Sequence, residues 1–356
     1  MITITLTYRD RDLNIVKKCL DSLTGQSLKE FHVILIDYGS QENFSNALKT
    51  IVSEYHFVKL IYCPVKGQLW NKSRAINMAL KQCETPYFLV GDIDLLFHLD
   101  FIKIATEKAS ENVLYFKYSF LSEEESLKNK TFDDYIIDFV GGEEITGTTL
   151  FPTTILKKVN GYDEFYHGWG AEDTDIHMRL KTLGVDVRFY NQNILVKHQW
   201  HPKAYRSKKS TSPFHSNLER VNQNYMQMTI NNKITVVNSN TDWGIIPNQE
   251  NYSKLEEKPD FVVSISPIDI EFSALLSQFK NYKNKVVKVQ INEDSLKNKA
   301  FQKLKKSLKK KYFNYLKLET INNLLLEEII KNYRNESYTY NFNREMGIIN
   351  LTIYFS

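Results

Sequence analysis

The first hundred residues alternate between apolar runs typical of strands and amphipathic stretches typical of helices. Parallel strands need a long crossover between them, usually a helix, so this alternation predicts a parallel α/β sheet. The run at 31–36 is almost continuously apolar, as in a strand that is buried on both faces. The four predicted strands are residues 2–7, 31–36, 57–62 and 86–90.

Polar residues follow three of these strands. In chain order they are Tyr8 and Arg9, then Asp37, then the pair Asp92 and Asp94. In open α/β sheets, ligands collect at the carboxyl ends of the strands. We therefore predict a binding site along this edge of the sheet.

Two acidic clusters and a histidine carry the predicted chemistry. The residues concerned are Asp92 and Asp94, Glu172 and Asp173, and His198. Carboxylates suit a hard divalent cation that bridges diphosphate oxygens, and Mn²⁺ accepts an imidazole as well. A sugar hydroxyl is barely acidic and needs a further carboxylate to take its proton. These residue types predict an enzyme that moves a sugar from a nucleotide.

Each of these residues also has a purely structural interpretation. An isolated Asp-x-Asp is often a turn or a helix cap, and Glu172 with Asp173 could serve only to stabilise a helix N-terminus. A lone histidine is more often hydrogen-bonded to the backbone than bound to a metal. Two aspartates that directly extend an apolar strand are harder to explain in this way, which favours the metal site. His201 is the alternative ligand to His198 if the local turn is tight.

Composition narrows the class of protein further. Hydrophobic residues make up 42% and charged residues 25% of the chain, as in ordinary soluble proteins. The net charge of +4 is too small for nucleic-acid binding without a focused patch. Three cysteines without a ligand-like pair favour a reducing compartment. The sequence shows neither a signal peptide nor an apolar run long enough to span a membrane, so we expect a cytoplasmic protein.

The chain is expected to hold two domains. Residues 1–230 form the predicted catalytic domain, residues 231–255 a connector rich in Asn, Ser and Asp, and residues 256–356 a small α/β domain of unknown role. The segment 297–311 is rich in lysine and carries apolar residues at helical spacing. It is either a solvated amphipathic helix or a surface for peripheral contact with anionic lipid at the inner face of the membrane.

The segment from Gly161 to His198 resembles the carboxyl half of the catalytic domain of β-1,4-galactosyltransferases. It is similar also to chondroitin-polymerase-type and other family 2 glycosyltransferases. The motif Gly-Trp-Gly-Ala-Glu-Asp-x-Asp at 168–175 carries this resemblance, since it follows an Asp-x-Asp and precedes a histidine. Three more stretches resemble motifs of the family, and these are Tyr-Arg-Asp-Arg at 8–11, Asp-Tyr-Gly-Ser at 37–40 and Trp-Asn-Lys-Ser-Arg-Ala-Ile-Asn at 70–77.

This resemblance implies a GT-A fold, a Rossmann-like and mostly parallel sheet flanked by helices. It implies a metal-dependent, inverting transfer of galactose or an N-acetylhexosamine from a UDP-sugar to a saccharide or lipid-linked saccharide acceptor. One base on the face opposite the leaving diphosphate suffices for such a single displacement. The implied cofactor is Mn²⁺ or Mg²⁺.

The resemblance also assigns roles to residues across the predicted catalytic domain. These are Tyr8, Arg9, Arg11 and Asp37 for the uridine, Arg74 for the diphosphate, Asp94 with Asp92 and His198 for the metal, Trp169 and Glu172 for the sugars, and Asp173 for the base.

Two departures from the family leave the transferred sugar open, because Ala171 replaces a glycine and Thr174 an acidic residue. The abundance of Lys, Asn and Ile favours a bacterial enzyme that builds surface polysaccharide. Two other functions are alternatives. A non-catalytic nucleotide-sugar-binding protein predicts an incomplete acidic set, and a sugar-phosphate nucleotidyltransferase predicts a glycine-rich phosphate loop near the start of the chain.

Overall fold

The computed structural model describes residues 1–202, 212–293, 297–310 and 312–356. These residues divide into two compact units, neither of which is contiguous in sequence. The first unit consists of Met1–Cys63, Asn71–Pro202 and Glu219–Ile246. The second contains Pro64–Trp70, residues 212–218 and Pro247–Ser356.

The strands of the first unit are β1 Ile2–Tyr8, β2 Phe31–Tyr38, β3 Val58–Cys63, β4 Tyr87–Asp92, β5 Leu95–Phe97, β6 Val113–Phe116, β7 Tyr118–Phe120, β8 Phe139–Val140, β9 Thr149–Pro152, β10 Val187–Tyr190 and β11 Val196–His198. The helices along the same part of the chain are α1 Leu13–Thr24, α2 Glu42–Val52, α3 Lys72–Lys81, α4 Phe101–Lys108, α5 Glu123–Ser126, α6 Thr153–Lys158, α7 Glu172–Thr182 and α8 Leu218–Asn231.

The main sheet has the strand order β10-β6-β9-β4-β1-β2-β3. Strands β4, β1, β2 and β3 pair in parallel, whereas β9 pairs antiparallel with β4 and β6. Apolar residues of β1, β2 and β4 pack with α1 in the core, among them Ile4, Leu35, Leu89 and Leu20. The predicted α/β class with a mostly parallel sheet is confirmed, and β1 to β4 are the four predicted strands.

A second, smaller sheet has the order β5-β11-β7-β8. Strand β11 runs antiparallel to β5, and His198 lies opposite Leu95 in this pairing. The main-chain N–H of Gln199 donates to the carbonyl of Asp94 at 2.9 Å. This pairing therefore brings the segment after β11 to the loop that follows β4, although the two are far apart in sequence.

Two asparagines at α3 hold the chain that leads towards α7. Asn71 caps α3, since its Oδ1 accepts from the main-chain N of Arg74 at 2.8 Å, and its Nδ2 donates to the carbonyl of Glu164 at 2.9 Å. The fully buried Asn77 donates to the carbonyl of Tyr162 at 2.8 Å and accepts from its main-chain N at 2.9 Å. Buried main-chain groups need such partners, so these bonds fix residues 162–164 against α3.

The second unit has its own four-stranded sheet, of order β12-β13-β15-β14, in which β12 and β13 are parallel and β13, β15 and β14 antiparallel. Its strands are β12 Phe261–Ile265, β13 Lys285–Asn292, β14 Ser337–Asn343 and β15 Ile348–Phe355, and its helices are α9 Gln249–Ser253, α10 Asp269–Gln278, α11 Lys297–Ser307 and α12 Leu318–Glu328. The carboxyl-terminal region is thus α/β, as predicted.

Residues 64–70 group with this second unit although they lie between β3 and α3. The main-chain N of Tyr340 donates to the carbonyl of Gly67 at 3.0 Å, and the main-chain N of Leu69 donates to the hydroxyl of Tyr338 at 3.2 Å. The predicted domains, 1–230 and 256–356, are each contiguous. In the structure, residues 64–70 and 212–218 group with the second unit, and the predicted connector 231–255 is divided between the two units after Ile246. No helix in the described ranges is both long and apolar enough to cross a membrane.

We expect Asn77→Ala to lower the free energy of unfolding by roughly 2–4 kcal/mol, because it leaves two buried main-chain groups of Tyr162 without partners. Urea unfolding followed by circular dichroism measures this. The control is Asn46→Ala, an exposed position in α2, which should change the free energy by no more than about 0.5 kcal/mol. Equal effects of the two substitutions would contradict the assigned role of Asn77.

Candidate active site

The carboxyl ends of three strands meet at one edge of the main sheet. In the pairing of β1 with β2, Tyr8 lies opposite Asp37, and in the pairing of β1 with β4, Thr7 lies opposite Asp92. Asp94 follows two positions after the end of β4. The structure thus brings together the strand ends that the sequence singled out.

Asp94, His198 and His201 form a compact group beside this edge. His198 Nε2 lies 3.5 Å from Asp94 Oδ1, and His201 Nε2 lies 3.1 Å from Asp94 Oδ2. Ligand atoms from the three residues all lie within 4.8 Å of one another. Asp94 is buried, and its Oδ1 has no hydrogen-bond partner among the described residues. One carboxylate and two imidazoles suit a borderline divalent cation such as Mn²⁺, so these residues fit the metal that the family implies.

Lys72 lies between Asp92 and Asp173. Its Nζ is 2.9 Å from Asp92 Oδ1 and 3.0 Å from Asp173 Oδ2. Asp92 is not part of the group around Asp94, and its carboxylate pairs with the ammonium of Lys72 instead. The geometry therefore favours His201 in place of Asp92 as the third ligand beside Asp94 and His198.

Burial and charge shift the pKa values of the groups around Lys72. Removal from water raises the pKa of Asp173 to about 7, even though the positive charge of Lys72 opposes this rise. Burial also raises the pKa of Glu172. Burial by itself would lower the pKa of Lys72, but the surrounding carboxylates hold it well above its ordinary value. Lys72 is therefore a fixed positive charge, whereas Asp173 gains or loses a proton near neutral pH.

The Gly-Trp-Gly-Ala sequence forms a loop with left-handed backbone angles. The φ angle is +101° at Gly170 and +78° at Ala171, a region that glycine adopts without steric cost. Ala171 stands at the N-cap position of α7 and offers no side chain to the helix. Trp169 is 57% exposed on this loop. The loop thus leads directly into Glu172 and Asp173 in the first turn of α7.

Asp175, the last acid of this motif, has a structural role. Its Oδ2 accepts from Arg179 Nε at 2.7 Å, and its Oδ1 accepts from the hydroxyl of Tyr166 at 3.0 Å. Arg179 Nη2 also donates to the carbonyl of Gly161 at 2.9 Å. Because Asp175 and Arg179 are both almost completely buried, this ion pair ties α7 to the chain before the loop.

Two residues predicted to hold the nucleotide line the ends of β1 and β2. Asp37 is fully buried, its Oδ1 accepts from the main-chain N of Ser40 at 3.1 Å, and its Oδ2 has no partner among the described residues. The hydroxyl of the buried Tyr8 donates to the carbonyl of Arg11 at 3.0 Å. Arg11 Nη2 in turn lies 3.3 Å from Asp94 Oδ2. Tyr8 therefore anchors the main chain at Arg11, and the Arg11 side chain connects this region to the group around Asp94.

Arg9 and Arg74 both lie near Tyr38, the last residue of β2. Arg9 Nε donates to the carbonyl of Tyr38, and the guanidinium carbon of Arg9 is 5.2 Å from the centroid of the Tyr38 ring. Burial raises the pKa of Tyr38, and the positive charge of the buried Arg74 opposes that rise. The two arginines therefore bring positive charge to the end of β2.

The site residues predicted from the sequence do not include Lys72 or Gly147, and they include His201 only as the alternative metal ligand to His198. Lys72 does have a signal, because it belongs to the helical motif that resembles the family. Gly147 has none in a single sequence. A Cβ at Gly147 would lie 2.9 Å from the hydroxyl of Tyr118 and 3.4 Å from Asp92 Oδ2, so this glycine leaves the space for Tyr118 to lie beside Asp92.

Two family models match the amino-terminal part of the chain. One, described as glycosyl transferase family 2, matches residues 3–153, and one described as the N-terminal domain of galactosyltransferase matches residues 129–201. Together they extend from β1 through both histidines of the candidate metal group. The chain contains a family 2 glycosyltransferase domain. The resemblance seen in the motifs is confirmed, and the domain is an enzyme of sugar transfer.

Similarity to individual proteins is more distant. Chondroitin sulfate synthase 3 of Mus musculus is 23% identical over 200 residues, which are 53% of this chain and 22% of that protein. The Homo sapiens protein of the same name is 24% identical over 182 residues, or 48% of this chain and 20% of that protein. The chain therefore spans only about a fifth of these curated relatives. Among solved structures, S. aureus TarS 1-349 in complex with UDP-GlcNAc aligns with a TM-score of 0.47 at 16% identity, over 64% of this chain and 65% of that chain.

We expect Gly147→Ala to slow sugar transfer by about tenfold to a hundredfold, because the added methyl group displaces the hydroxyl of Tyr118 and crowds Asp92 beside it. UDP release from the donor measures the rate, and thermal unfolding checks the fold. The control is Gly25→Ala, where a Cβ would meet nothing closer than 3.7 Å, and its rate should equal that of the wild type. A wild-type rate for Gly147→Ala would show that the space at Gly147 is not needed.

Proposed function

We propose that the glycosyltransferase domain transfers galactose or an N-acetylhexosamine from a UDP-sugar to a saccharide hydroxyl with inversion, in surface polysaccharide synthesis. The observation that carries this proposal is the environment of Asp173, a partly buried carboxylate that is held by Lys72 in the first turn of α7. Its pKa of about 7 suits a general base at neutral pH.

The geometry of Asp173 supports the role of proton acceptor. Its Oδ2 contacts Lys72 at 3.0 Å, and its Oδ1 is buried with no hydrogen-bond partner among the described residues. One carboxylate oxygen therefore fixes the orientation of the side chain, while the other, which no group of the described protein satisfies, would take the proton of an acceptor hydroxyl that enters the site. A single base of this kind is sufficient for inversion, since no enzyme-bound intermediate has to form.

The group of Asp94, His198 and His201 would hold Mn²⁺, or Mg²⁺ with a poorer match to the two imidazoles. When bound, such an ion supplies positive charge that stabilises the departing UDP. Asp92 would instead orient Lys72, which it contacts at 2.9 Å. The contact between Arg11 and Asp94 would couple nucleotide binding to this group.

Different residues would bind the donor and the acceptor. For the donor, the unpartnered Oδ2 of Asp37 is an acceptor suited to the N–H of a uracil ring, and Arg9 and Arg74 would offset the diphosphate charge. For the acceptor, the exposed ring of Trp169 offers a platform for a sugar, and the curated relatives are named as chondroitin sulfate synthases. A saccharide or lipid-linked saccharide reached from the cytoplasm is our proposed acceptor.

We expect Asp173→Asn to lower kcat by about 10²–10⁴ while UDP affinity is retained, because only proton transfer is lost. Donors and acceptors are first identified by screening UDP-sugars for UDP release in the presence of saccharides. In the wild type, kcat/KM should fall as the pH is lowered through about 7, since the protonated carboxyl cannot accept a proton. The residual activity of the variant should lack this dependence.

The exposed Asp242 provides the matched control, and Asp242→Asn should leave kcat and the pH profile unchanged. An Asp173→Asn enzyme with wild-type kcat would exclude Asp173 as the base. Loss of UDP binding in that variant would instead indicate a structural role.

We expect Asp94→Ala and His201→Ala each to abolish the part of donor binding that depends on Mn²⁺, because each removes a ligand from the group. Titration calorimetry with the UDP-sugar, in the presence of Mn²⁺ or of EDTA, measures this. The exposed His56 serves as the control through His56→Ala. Equal donor affinity with Mn²⁺ and with EDTA in the wild type would contradict the metal dependence.

A further inference from the structure

Helix α11 in the second unit presents its apolar residues outwards. Phe301, Leu304 and Leu308 are 55%, 54% and 57% exposed, and their spacing places them on one stripe. The main-chain N of Leu308 donates to the carbonyl of Leu304 at 3.0 Å, so the helical turn continues to the end of the stripe. In an ordinary surface helix such a stripe would face the core.

The inward side of α11 is polar instead. Gln302 is only 8% exposed, and its Oε1 accepts from the main-chain N of Phe313 at 2.8 Å. This bond ties the helix to the segment that follows it. Tyr312 and Phe313 are also 43% and 46% exposed. The orientation of α11 is therefore set by a polar contact, which leaves its apolar stripe uncovered in the second unit.

Lysines surround this stripe. Residues 297–311 contain eight lysines and no acidic residue, while the whole chain has a net charge of only +4, so the rest of the chain is net acidic. Among the described residues, Lys303, Lys305, Lys306, Lys309 and Lys310 form no ion pair with a carboxylate. Lys305 Nζ lies 4.7 Å from the centroid of the Phe301 ring. Positive charge and exposed apolar area thus coincide on one surface.

We propose that this α11 surface, made of Phe301, Leu304, Leu308 and the five lysines just named, docks the protein on an anionic phospholipid bilayer. The three apolar side chains would enter the boundary between headgroups and acyl chains, and the lysines would contact phosphate and anionic headgroups. An acidic protein or a nucleic acid would contact the lysines and leave the apolar stripe in water. A second copy of the surface would bring lysines against lysines.

The test is sedimentation of the full chain with vesicles of phosphatidylcholine, either pure or with about a third phosphatidylglycerol. We expect binding to the anionic vesicles and none to the neutral ones. Raising the salt from about 0.1 M to about 1 M shortens the Debye length from about 10 Å to 3 Å and should weaken binding at least tenfold.

The triple variant Phe301→Ser/Leu304→Ser/Leu308→Ser should lose anionic-vesicle binding at low salt by more than about tenfold, because it removes the inserting side chains. The matched control is Ile270→Ser/Leu324→Ser/Met346→Ser, which changes three other exposed apolar residues of the second unit. This control should bind as the wild type does. Both variants should keep the wild-type unfolding temperature, since none of the six positions is buried.

Three results would overturn the proposal. The first is absence of binding to anionic vesicles at low salt, and the second is equal binding to neutral and anionic vesicles. The third is a wild-type oligomer in light scattering that the Phe301/Leu304/Leu308 variant converts to monomer, which would assign the stripe to self-association.

Discussion

Between the end of β4 and the start of α7, the ammonium of Lys72 holds Asp92 at 2.9 Å and Asp173 at 3.0 Å. With Glu172 nearby, three carboxylates share a poorly hydrated space, and without a cation they would repel one another and take up protons. Lys72 keeps its charge because those carboxylates raise its pKa. Its position follows from Asn71, which caps α3 and bonds to the chain that leads to α7. One ion-pair network thus joins the end of β4 to the start of α7, which lies eighty residues later in the sequence.

The two aspartates at the end of β4 serve different groups although a single residue separates them. Asp92 contacts Lys72, whereas Asp94 lies with His198 and His201. This division depends on β11, which pairs with β5, the strand that begins just after Asp94. His198 ends β11, and His201 follows three residues later. The arrangement separates a group suited to a cation from a group suited to proton transfer.

The sequence predicts what depends on local pattern. Strands β1 to β4 follow from apolar runs, and their shared edge follows from parallel pairing. The sequence also predicts Asp92 as a metal ligand, which stays a prediction; its contact with Lys72 follows from side-chain direction at the strand end, which no apolar pattern encodes. The proximity of His201 to Asp94 likewise depends on a turn that no periodicity encodes. Asp175 looks equivalent to Asp173 in the motif, yet its partner Arg179 lies one helical turn later and buries it. The composition of residues 64–70 does not indicate that they group with the second unit.

The position of residues 64–70 in the second unit limits how the protein can be shortened. Val65 and Leu69 are buried, and the segment is hydrogen-bonded to β14 near the carboxyl terminus. A shortened protein that stops at residue 246 would keep these residues but lose the strands that cover them. They would then form an exposed apolar loop directly before Asn71, the cap on which Lys72 depends. Separate expression of the transferase part therefore requires redesign of this loop.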